Sequence, residues 1–190
     1  MGLRHLTGTT ACVLALLAAL ALSACGNTSE PGVDEPAREG LAIDVGGIDY
    51  NVFITRELNL RIAPDSAYYN GQPAAKGHAL YGIFLKTCNE GSKPRDTATS
   101  FHVEDNQGNK FEPIELGKDN AFAYQPQRLL PGDCIPADGS VAQLGPTDAS
   151  MLLFDFPLVN TENRPLELKI EGPYDFAKGE RESKTIELDL

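Results

Sequence analysis

The feature that most constrains the fold of this chain is a series of short segments in which apolar and polar residues alternate. Side chains with this period lie on opposite faces of a β-strand, so that one face can be buried while the other stays in water. Clusters of Gly, Pro, Asn and Asp separate the segments, and no long amphipathic helical pattern interrupts them. The alternating segments are residues 48–55, 79–88, 101–105, 151–156, 166–170 and 185–190. The series predicts an all-β domain of about seven or eight strands.

Segment 79–88 is apolar on both faces of the expected strand. One face would carry Tyr81, Ile83 and Leu85, and the other would carry Leu80, Phe84 and Cys88. A strand buried on both sides is typical of the middle of a covered sheet. With the other segments, which are apolar mainly on one face, it predicts an antiparallel β-sandwich rather than a barrel or an α/β fold.

Alternation and turn residues also predict local detail. In segment 48–55 we expect one buried face made of Ile48, Tyr50, Val52 and Ile54. The stretch 105–109, Asp-Asn-Gln-Gly-Asn, predicts a hairpin, because Asx and Gly residues tolerate positive φ. It also resembles a calcium loop, but Lys110 and Leu116 stand where an EF-hand has Gly and Glu. The hairpin is therefore preferred, and no metal site is predicted.

Two long loops, residues 63–78 and 131–150, interrupt the strands. Loops of this length are either functional or loosely ordered. The aromatic residues near the loops and turns are Tyr68, Tyr69, Phe122 and Tyr124. They are our candidate binding residues, because aromatic side chains on loops supply rigid contact surface. The alternative, which we favour, is that these rings fold back and cover the edge of the core.

The chain begins with the pattern of a secretory signal. Arg4 and His5 precede an uninterrupted apolar run over residues 11–22, which is too short for the roughly 20 residues of a membrane-spanning helix. The following Leu-Ser-Ala-Cys, residues 22–25, resembles the lipobox of bacterial lipoproteins. The resemblance implies cleavage after Ala24 and a lipid on Cys25. It also implies an extracytoplasmic protein held at the bacterial cell membrane.

These patterns divide the chain into three parts. Residues 1–24 form the signal peptide, residues 25–40 a lipidated cysteine and a flexible acidic linker, and residues 41–190 one folded domain. The chain has a formal net charge of −11, and the signal peptide contains no acidic residue. We therefore expect no binding to nucleic acid and no electrostatic adsorption to anionic lipid.

Two cysteines remain once Cys12 leaves with the signal and Cys25 carries lipid. In an oxidising compartment Cys88 and Cys134 most simply form a disulfide, which would stabilise the fold by about 4 kcal/mol in the chain-entropy model. A reactive or metal-binding thiol pair is the alternative. The sequence has no Cys-x-x-Cys motif, and neither cysteine has a His close by in sequence.

The sequence lacks the common catalytic motifs. It has no Gly-x-Ser-x-Gly, no His-Glu-x-x-His and no phosphate-binding Gly-rich loop with Lys. His78 and His102 are the histidines of the expected mature chain, and an enzyme would need one of them in a cleft beside a carboxylate of perturbed pKa. We predict no catalytic residues and no cofactor.

The order of segments resembles the telokin-like, immunoglobulin-fold domain of many secreted bacterial lipoproteins. The matching pieces, between about residues 48 and 171, are ALYGIFLKTCNEG, SFHVEDNQGNKFEP, RLLPGD and LLFDFPLVNTENRPLELKI. The resemblance implies an immunoglobulin-like β-sandwich and brings no catalytic residues. The loops 63–78 and 131–150 are departures from the family pattern.

From these observations we expect a lipid-anchored, non-catalytic β-sandwich that binds an envelope protein or another envelope component. A sandwich offers strand edges and end loops for that purpose. The alternative is a small-ligand-binding accessory lipoprotein of a transport system, which would have a closed apolar pocket. The sequence leaves the oligomeric state open.

Overall fold

The computed structural model describes residues 36–177 and 179–190. The signal peptide, Cys25 and most of the expected linker lie outside this range. The described part contains one short helix, α1 (Asp65–Tyr68). Its strands are β1 (Ala37–Arg38), β2 (Ala42–Val45), β3 (Ile48–Glu57), β4 (His78–Cys88), β5 (Arg95–Asp96), β6 (Ser100–Asp105), β7 (Lys110–Phe111), β8 (Arg128–Leu129), β9 (Cys134–Ile135), β10 (Ser150–Pro157), β11 (Leu166–Asp175) and β12 (Glu180–Leu188).

Two sheets form the body of the domain. The first sheet has the strand order β1-β12-β11-β6-β7, and the second has the order β10-β4-β3-β2 with β9 paired to the end of β4. Strands β5 and β8 form a small separate ribbon. The pairing of named strands is antiparallel throughout, except that β1 runs parallel to β12. The predicted all-β, antiparallel sandwich is confirmed.

The main core lies between the two sheets. It takes the alternate side chains that the sequence pattern assigned to buried faces, among them Phe101, Val103, Leu152, Phe154, Phe156, Leu166, Leu168, Ile170, Ile186 and Leu188. Because each of these segments keeps period two, the inward residues of both sheets meet in one apolar layer.

A second apolar cluster covers the other face of β4, as the two apolar faces of this strand predicted. Ile83 and Leu85 point into the main core, whereas Leu80 and Phe84 point the opposite way. We call the second group the outer cluster; it consists of Leu58, Tyr68, Leu80, Phe84, Phe122, Ala142, Ala149, Met151 and Leu153. Its members come from β4, β10 and the segments 58–69, 122 and 142–149. The long loops thus form a third layer over the second sheet.

Strand β3 departs from the predicted alternation. The pairing of β3 with β4 shifts between Val52 and Ile54, which marks a β-bulge. As a result Phe53 and Ile54 are both exposed, at 38% and 41%, while Thr55 is buried. The prediction that Ile54 shares the buried face of Ile48, Tyr50 and Val52 is wrong, because the extra residue turns the rest of the strand over.

The folded domain begins earlier than the predicted boundary at residue 41. Ala37 and Arg38 pair with Ile186 and Glu187 as strand β1. The N–H of Gly40 donates to the Val52 carbonyl at 2.7 Å. Backbone pairing therefore places the last residues of the expected linker in the sandwich.

Cys88 and Cys134 form a disulfide in the structure. They are directly opposite each other in the antiparallel pair β4–β9. The neighbouring Asn89 is fully buried, and its side-chain amide donates to the carbonyls of Leu129 and Lys93 at 3.0 and 2.9 Å. The disulfide and this amide together hold loop 89–94 and the turn after β8 to the end of β4.

Candidate functional site

Three of the four aromatic residues proposed for binding are buried. Tyr68 packs edge-on against Phe84 and Phe122 in the outer cluster, with ring centroids 4.9 and 4.8 Å apart. Tyr124 lies in the main core, and its hydroxyl donates to the Ala98 carbonyl at 3.1 Å. Tyr69 is half-buried beside the outer cluster. The prediction that these residues form an exposed binding surface is therefore wrong. Three of the rings pack in the apolar clusters, as the alternative interpretation predicted.

The hairpin at residues 105–109 is organised by one carboxylate. Asp105 is 4% exposed and accepts hydrogen bonds from the backbone N–H groups of Gln107 and Asn109 at 3.0 and 2.9 Å. The side-chain amides of Asn109, Asn160 and Asn163 donate to it as well, at 2.9–3.1 Å. Both oxygens are thus occupied by donors of the chain itself, so this is a structural clamp between two turns.

The hydrogen bonds decide the protonation of this carboxylate. Burial alone would raise the pKa of Asp105, but the amide donors of Asn163, Asn109 and Asn160 outweigh it and hold the pKa well below its ordinary value. Asp105 therefore stays ionised at neutral pH without a cation.

The histidines do not converge on a common cleft. His78 begins β4, and its Nδ1 lies 3.0 Å from Asp155 on the adjacent strand β10. His102 is buried on β6 in the other sheet. Both sulfurs that could have paired with a histidine are held in the disulfide.

The most exposed aromatic pair of the described residues lies at the end of the β11–β12 hairpin. Phe176 is 91% exposed and Tyr174 is 43% exposed, and their ring centroids are 5.0 Å apart in an edge-on arrangement. We call residues 174–177 the hairpin tip. Two hydrogen bonds hold it: the Asp175 side chain accepts from the N–H of Ala177 at 2.8 Å, and the Asp175 carbonyl accepts from the N–H of Gly179 at 2.8 Å.

An open groove of about 690 Å³ lies beside the hairpin tip. Its lining residues include Gly46, Gly47, Arg95, Arg128 and Pro173. An added Cβ at Gly47 would lie 3.2 Å from Nε of Arg95, so this guanidinium rests close on the glycine. Gly47 also has φ +80°, a backbone conformation that would be strained for a residue with a side chain. Arg128 is paired with Asp96 at 3.1 Å on the groove wall.

The far side of Gly47 carries charges of both signs. Asp44, Asp49 and Glu90, together with Lys93 and Arg95, line a second depression there. Burial, followed by the negative charges of Asp44 and Glu90, raises the pKa of Asp49. No group of three or more potential ligand side chains among the described residues is arranged to hold a metal ion. Charged side chains thus line both the groove and this depression, and the aromatic pair forms part of the groove wall.

The outer face of the first sheet is also charged. Glu167 lies between Glu104 and Glu187 on the neighbouring strands, and burial followed by these like charges raises its pKa. Lys110 pairs with Glu104 at 3.4 Å, and Arg38 lies 4.0 Å from Glu187.

Sequence reasoning missed the hairpin tip for identifiable reasons. Strand β11 continues five residues beyond the predicted Ile170, and its pairing shifts between Glu171 and Tyr174. Pro173 within this stretch argues against a strand, and the buried Gly172 has no side chain that could continue the apolar pattern. The usable signal was the pair of aromatic residues flanking Asp175, just before the turn residue Gly179.

Comparisons with known proteins place the fold. No protein-family model matches the sequence, and no curated protein matches it. The crystal structure of the yjhA protein from Bacillus subtilis is similar over 80% of this chain and 99% of that one, with a TM-score of 0.52 and 12% identity. At this identity the likeness shows the fold alone.

Two further solved structures are similar at lower scores. An uncharacterised β-sandwich protein from Clostridium difficile matches over 84% of this chain and 100% of its own, with a TM-score of 0.44 and 15% identity. The ycdA protein from Bacillus subtilis, described as a candidate lipoprotein, matches over 77% of this chain and 38% of its own, with a TM-score of 0.43 and 11% identity. Within the described residues, no helix is long and apolar enough to cross a membrane.

Proposed function

We propose that this protein is a non-catalytic interaction module, anchored outside the cytoplasm to the bacterial cell membrane by a lipid on Cys25. The observation that carries the proposal is the hairpin tip, where Tyr174 and Phe176 stand exposed on a hydrogen-bonded turn. Folding leaves these rings in water, so their burial against a partner remains available and is worth about 1.5–3 kcal/mol for a fully buried side chain.

Two further features support this proposal. The Leu-Ser-Ala-Cys stretch before the domain resembles a lipobox. The disulfide between Cys88 and Cys134 suits an oxidising compartment, because cytosolic proteins rarely keep such bonds. With both thiols oxidised, neither cysteine can act as a nucleophile.

A small-ligand carrier is the second candidate function, favoured by the size of the groove. A volume of about 690 Å³ falls within the range of small-molecule sites. The groove is open to solvent along one side, however, and charged residues such as Arg95 and Glu182 line it. A groove that is open, charged and flanked by exposed rings suits contact with a partner better than the enclosure of a small apolar ligand.

The anchoring half of the proposal is tested with Cys25→Ala in the full chain. We expect the parent protein to partition into the detergent phase and to carry a lipid on its first mature residue by mass spectrometry. Cys25→Ala should remain in the aqueous phase. Continued detergent partitioning of the variant would contradict the lipid assignment.

The interaction half is tested by crosslinking in intact cells. A photoreactive residue at position 176 should crosslink to an envelope component. The matched control is position 159, because Val159 is also strongly exposed, at 75%, but lies in the β10–β11 turn. Equal crosslinking from both positions would show that position 176 has no particular contact.

A further inference from the structure

We infer that Asn70 is a site of self-modification, at which the backbone nitrogen of Gly71 displaces the side-chain amide and a carboxylate results. The reaction needs neither the lipid anchor nor the hairpin tip, because it takes place in the loop between α1 and β4. Three features of this loop lead to it: the residue pair itself, the freedom of the reacting groups, and the packing of Tyr69 over Gly71.

The residue after Asn70 makes the reaction possible. Asparagine is among the thermolabile residues of proteins, because the next backbone nitrogen can attack its side-chain carbonyl carbon and close a five-membered ring. A side chain on the following residue hinders this approach, whereas glycine has no Cβ and lets the backbone turn. Residues 70 and 71 are the single Asn-Gly pair of the chain.

The groups that would react are free in the folded protein. Asn70 and Gly71 are both exposed in the loop that follows α1. Neither the side-chain amide of Asn70 nor the N–H of Gly71 has a hydrogen-bond partner among the described residues. The side chain can therefore rotate toward the Gly71 nitrogen, and loss of the N–H proton breaks no hydrogen bond.

Most other asparagines of the described part are held by hydrogen bonds of their side chains. They are Asn59, Asn89, Asn106, Asn109, Asn120, Asn160 and Asn163. Oδ1 of Asn51 has no partner, but the backbone there is fixed in the β2–β3 pair and the β-branched Val52 follows. The one Asp-Gly pair, residues 138 and 139, is held as well, because the N–H of Gly139 donates to Gln143 at 3.2 Å. Asn70 therefore differs from the rest in both sequence and environment.

Packing gives a reason for the glycine at position 71. Tyr69 packs beside the outer cluster, and its ring folds over Gly71, so that an added Cβ there would overlap the hydroxyl and the ring carbons. A residue with a side chain would have to displace this ring. The third layer therefore favours glycine at position 71, and the reactive Asn-Gly pair follows from that packing.

The reaction needs water as its one co-reactant. The Gly71 nitrogen gives its proton to hydroxide or water and forms a bond to Cγ of Asn70. The Cγ–Nδ2 bond then breaks, and Nδ2 leaves as ammonia after taking up a proton. Water opens the resulting cyclic imide at either of its two carbonyl carbons, which leaves aspartate or isoaspartate at position 70.

The product changes the charge of a cleft in the third layer. Asn70 lines a cleft of about 370 Å³, and the charged residues of its lining, Glu115 and Asp119, are both acidic. The reaction adds one more carboxylate to this lining. In isoaspartate the main chain also gains a methylene carbon before Gly71, which moves the glycine relative to the Tyr69 ring. We therefore expect the cleft to become more acidic, and the contact of Tyr69 with Gly71 to change, as the protein ages.

Peptide mapping by mass spectrometry tests the site. The purified full chain, folded and with its disulfide intact, is incubated at neutral and at mildly alkaline pH and then digested with trypsin. Residues 62–76 form one tryptic peptide with Asn70 as its sole asparagine, and residues 96–110 form a control peptide with Asn106 and Asn109. We expect Asn70 to be converted to the acid several-fold faster than either control asparagine, faster at the higher pH, and with isoaspartate among the products.

Two comparisons separate this mechanism from simple hydrolysis of an exposed amide. Asn70→Gln keeps an exposed amide but cannot close the same five-membered ring, so position 70 should keep its mass. A synthetic peptide of residues 62–76 should react at a rate similar to that of the folded protein, because the fold leaves both groups free. Conversion of Asn70 no faster than that of Asn106 and Asn109, aspartate without isoaspartate, or a folded protein that reacts many-fold more slowly than the peptide would each overturn the assignment.

Discussion

Replacing Asp105 with Ala should destabilise the domain strongly, although the residue lies far from the hairpin tip. The change removes the acceptor for two backbone N–H groups and for the side-chain amides of Asn109, Asn160 and Asn163. Hydrogen bonds to charged groups contribute about 1.5–3 kcal/mol each, but they are not additive and several of these donors can turn to water. We therefore expect a loss of about 3–4 kcal/mol in the free energy of unfolding.

Urea and thermal unfolding of the folded domain, residues 36–190, measure this loss. For a domain of this size the melting temperature should fall by about 6–16 °C. The matched control is Gln107→Ala in the same turn, which keeps the backbone donor and removes only an exposed hydrogen bond to Asn106. A loss below about 1 kcal/mol for Asp105→Ala would refute the clamp, because surface changes of the control type fall within about 0.5 kcal/mol.

The pH dependence of stability tests the charge of the clamp. The pKa of Asp105 is lowered in the folded state, so its contribution is present above the unfolded pKa of about 3.9 and is lost as the pH falls toward the folded pKa. The stability gap between the parent and Asp105→Asn should be constant above about pH 5 and shrink below about pH 4. A gap that does not change with pH would show that the ionised form contributes nothing.

Two further changes test the packing and the disulfide. Phe122→Ala should cost about 3–5 kcal/mol, because the ring fills the outer cluster against Tyr68, whereas the exposed Phe176→Ala should change the free energy of unfolding by less than about 0.5 kcal/mol. If urea unfolding showed similar losses of free energy for Phe122→Ala and Phe176→Ala, the outer cluster would not be a packed third layer. Cys88→Ser should lower the free energy of unfolding by about 2–5 kcal/mol under oxidising conditions. Reduction of the parent should lower it by a similar amount, because both changes remove the disulfide. A free thiol in the parent, measured by titration, would refute the bond.

The sequence predicted the parts of the fold in which local pattern and tertiary packing agree. Leu152, Phe154 and Phe156 keep period two and enter the core. Asp105 and Gly108 form the expected turn, because its backbone needs are local. The two apolar faces of β4 correctly indicated cover on both sides of the second sheet. In each case the side chain itself reveals the environment that it will occupy.

Tertiary structure decided what no local pattern contains. The bulge in β3 exposes Ile54, although its alternation with Thr55 predicted the reverse. Loop residues such as Tyr68 cover the outer face of β4. An aromatic residue in a loop is equally compatible with a binding surface and with a packing layer, so the sequence alone does not distinguish them. The hairpin tip was hidden, because both faces of an exposed hairpin end meet water and period two then carries no information.

By itself, therefore, the sequence determined an antiparallel β-sandwich, the hairpin at residues 105–109 and the cysteines available for pairing. The tertiary structure decided which aromatic rings are buried and which remain in water, because that depends on strand length and on loops that meet across the sheet. It also decided that β1 runs parallel to β12, because this pairing joins residues as far apart in sequence as Ala37 and Ile186.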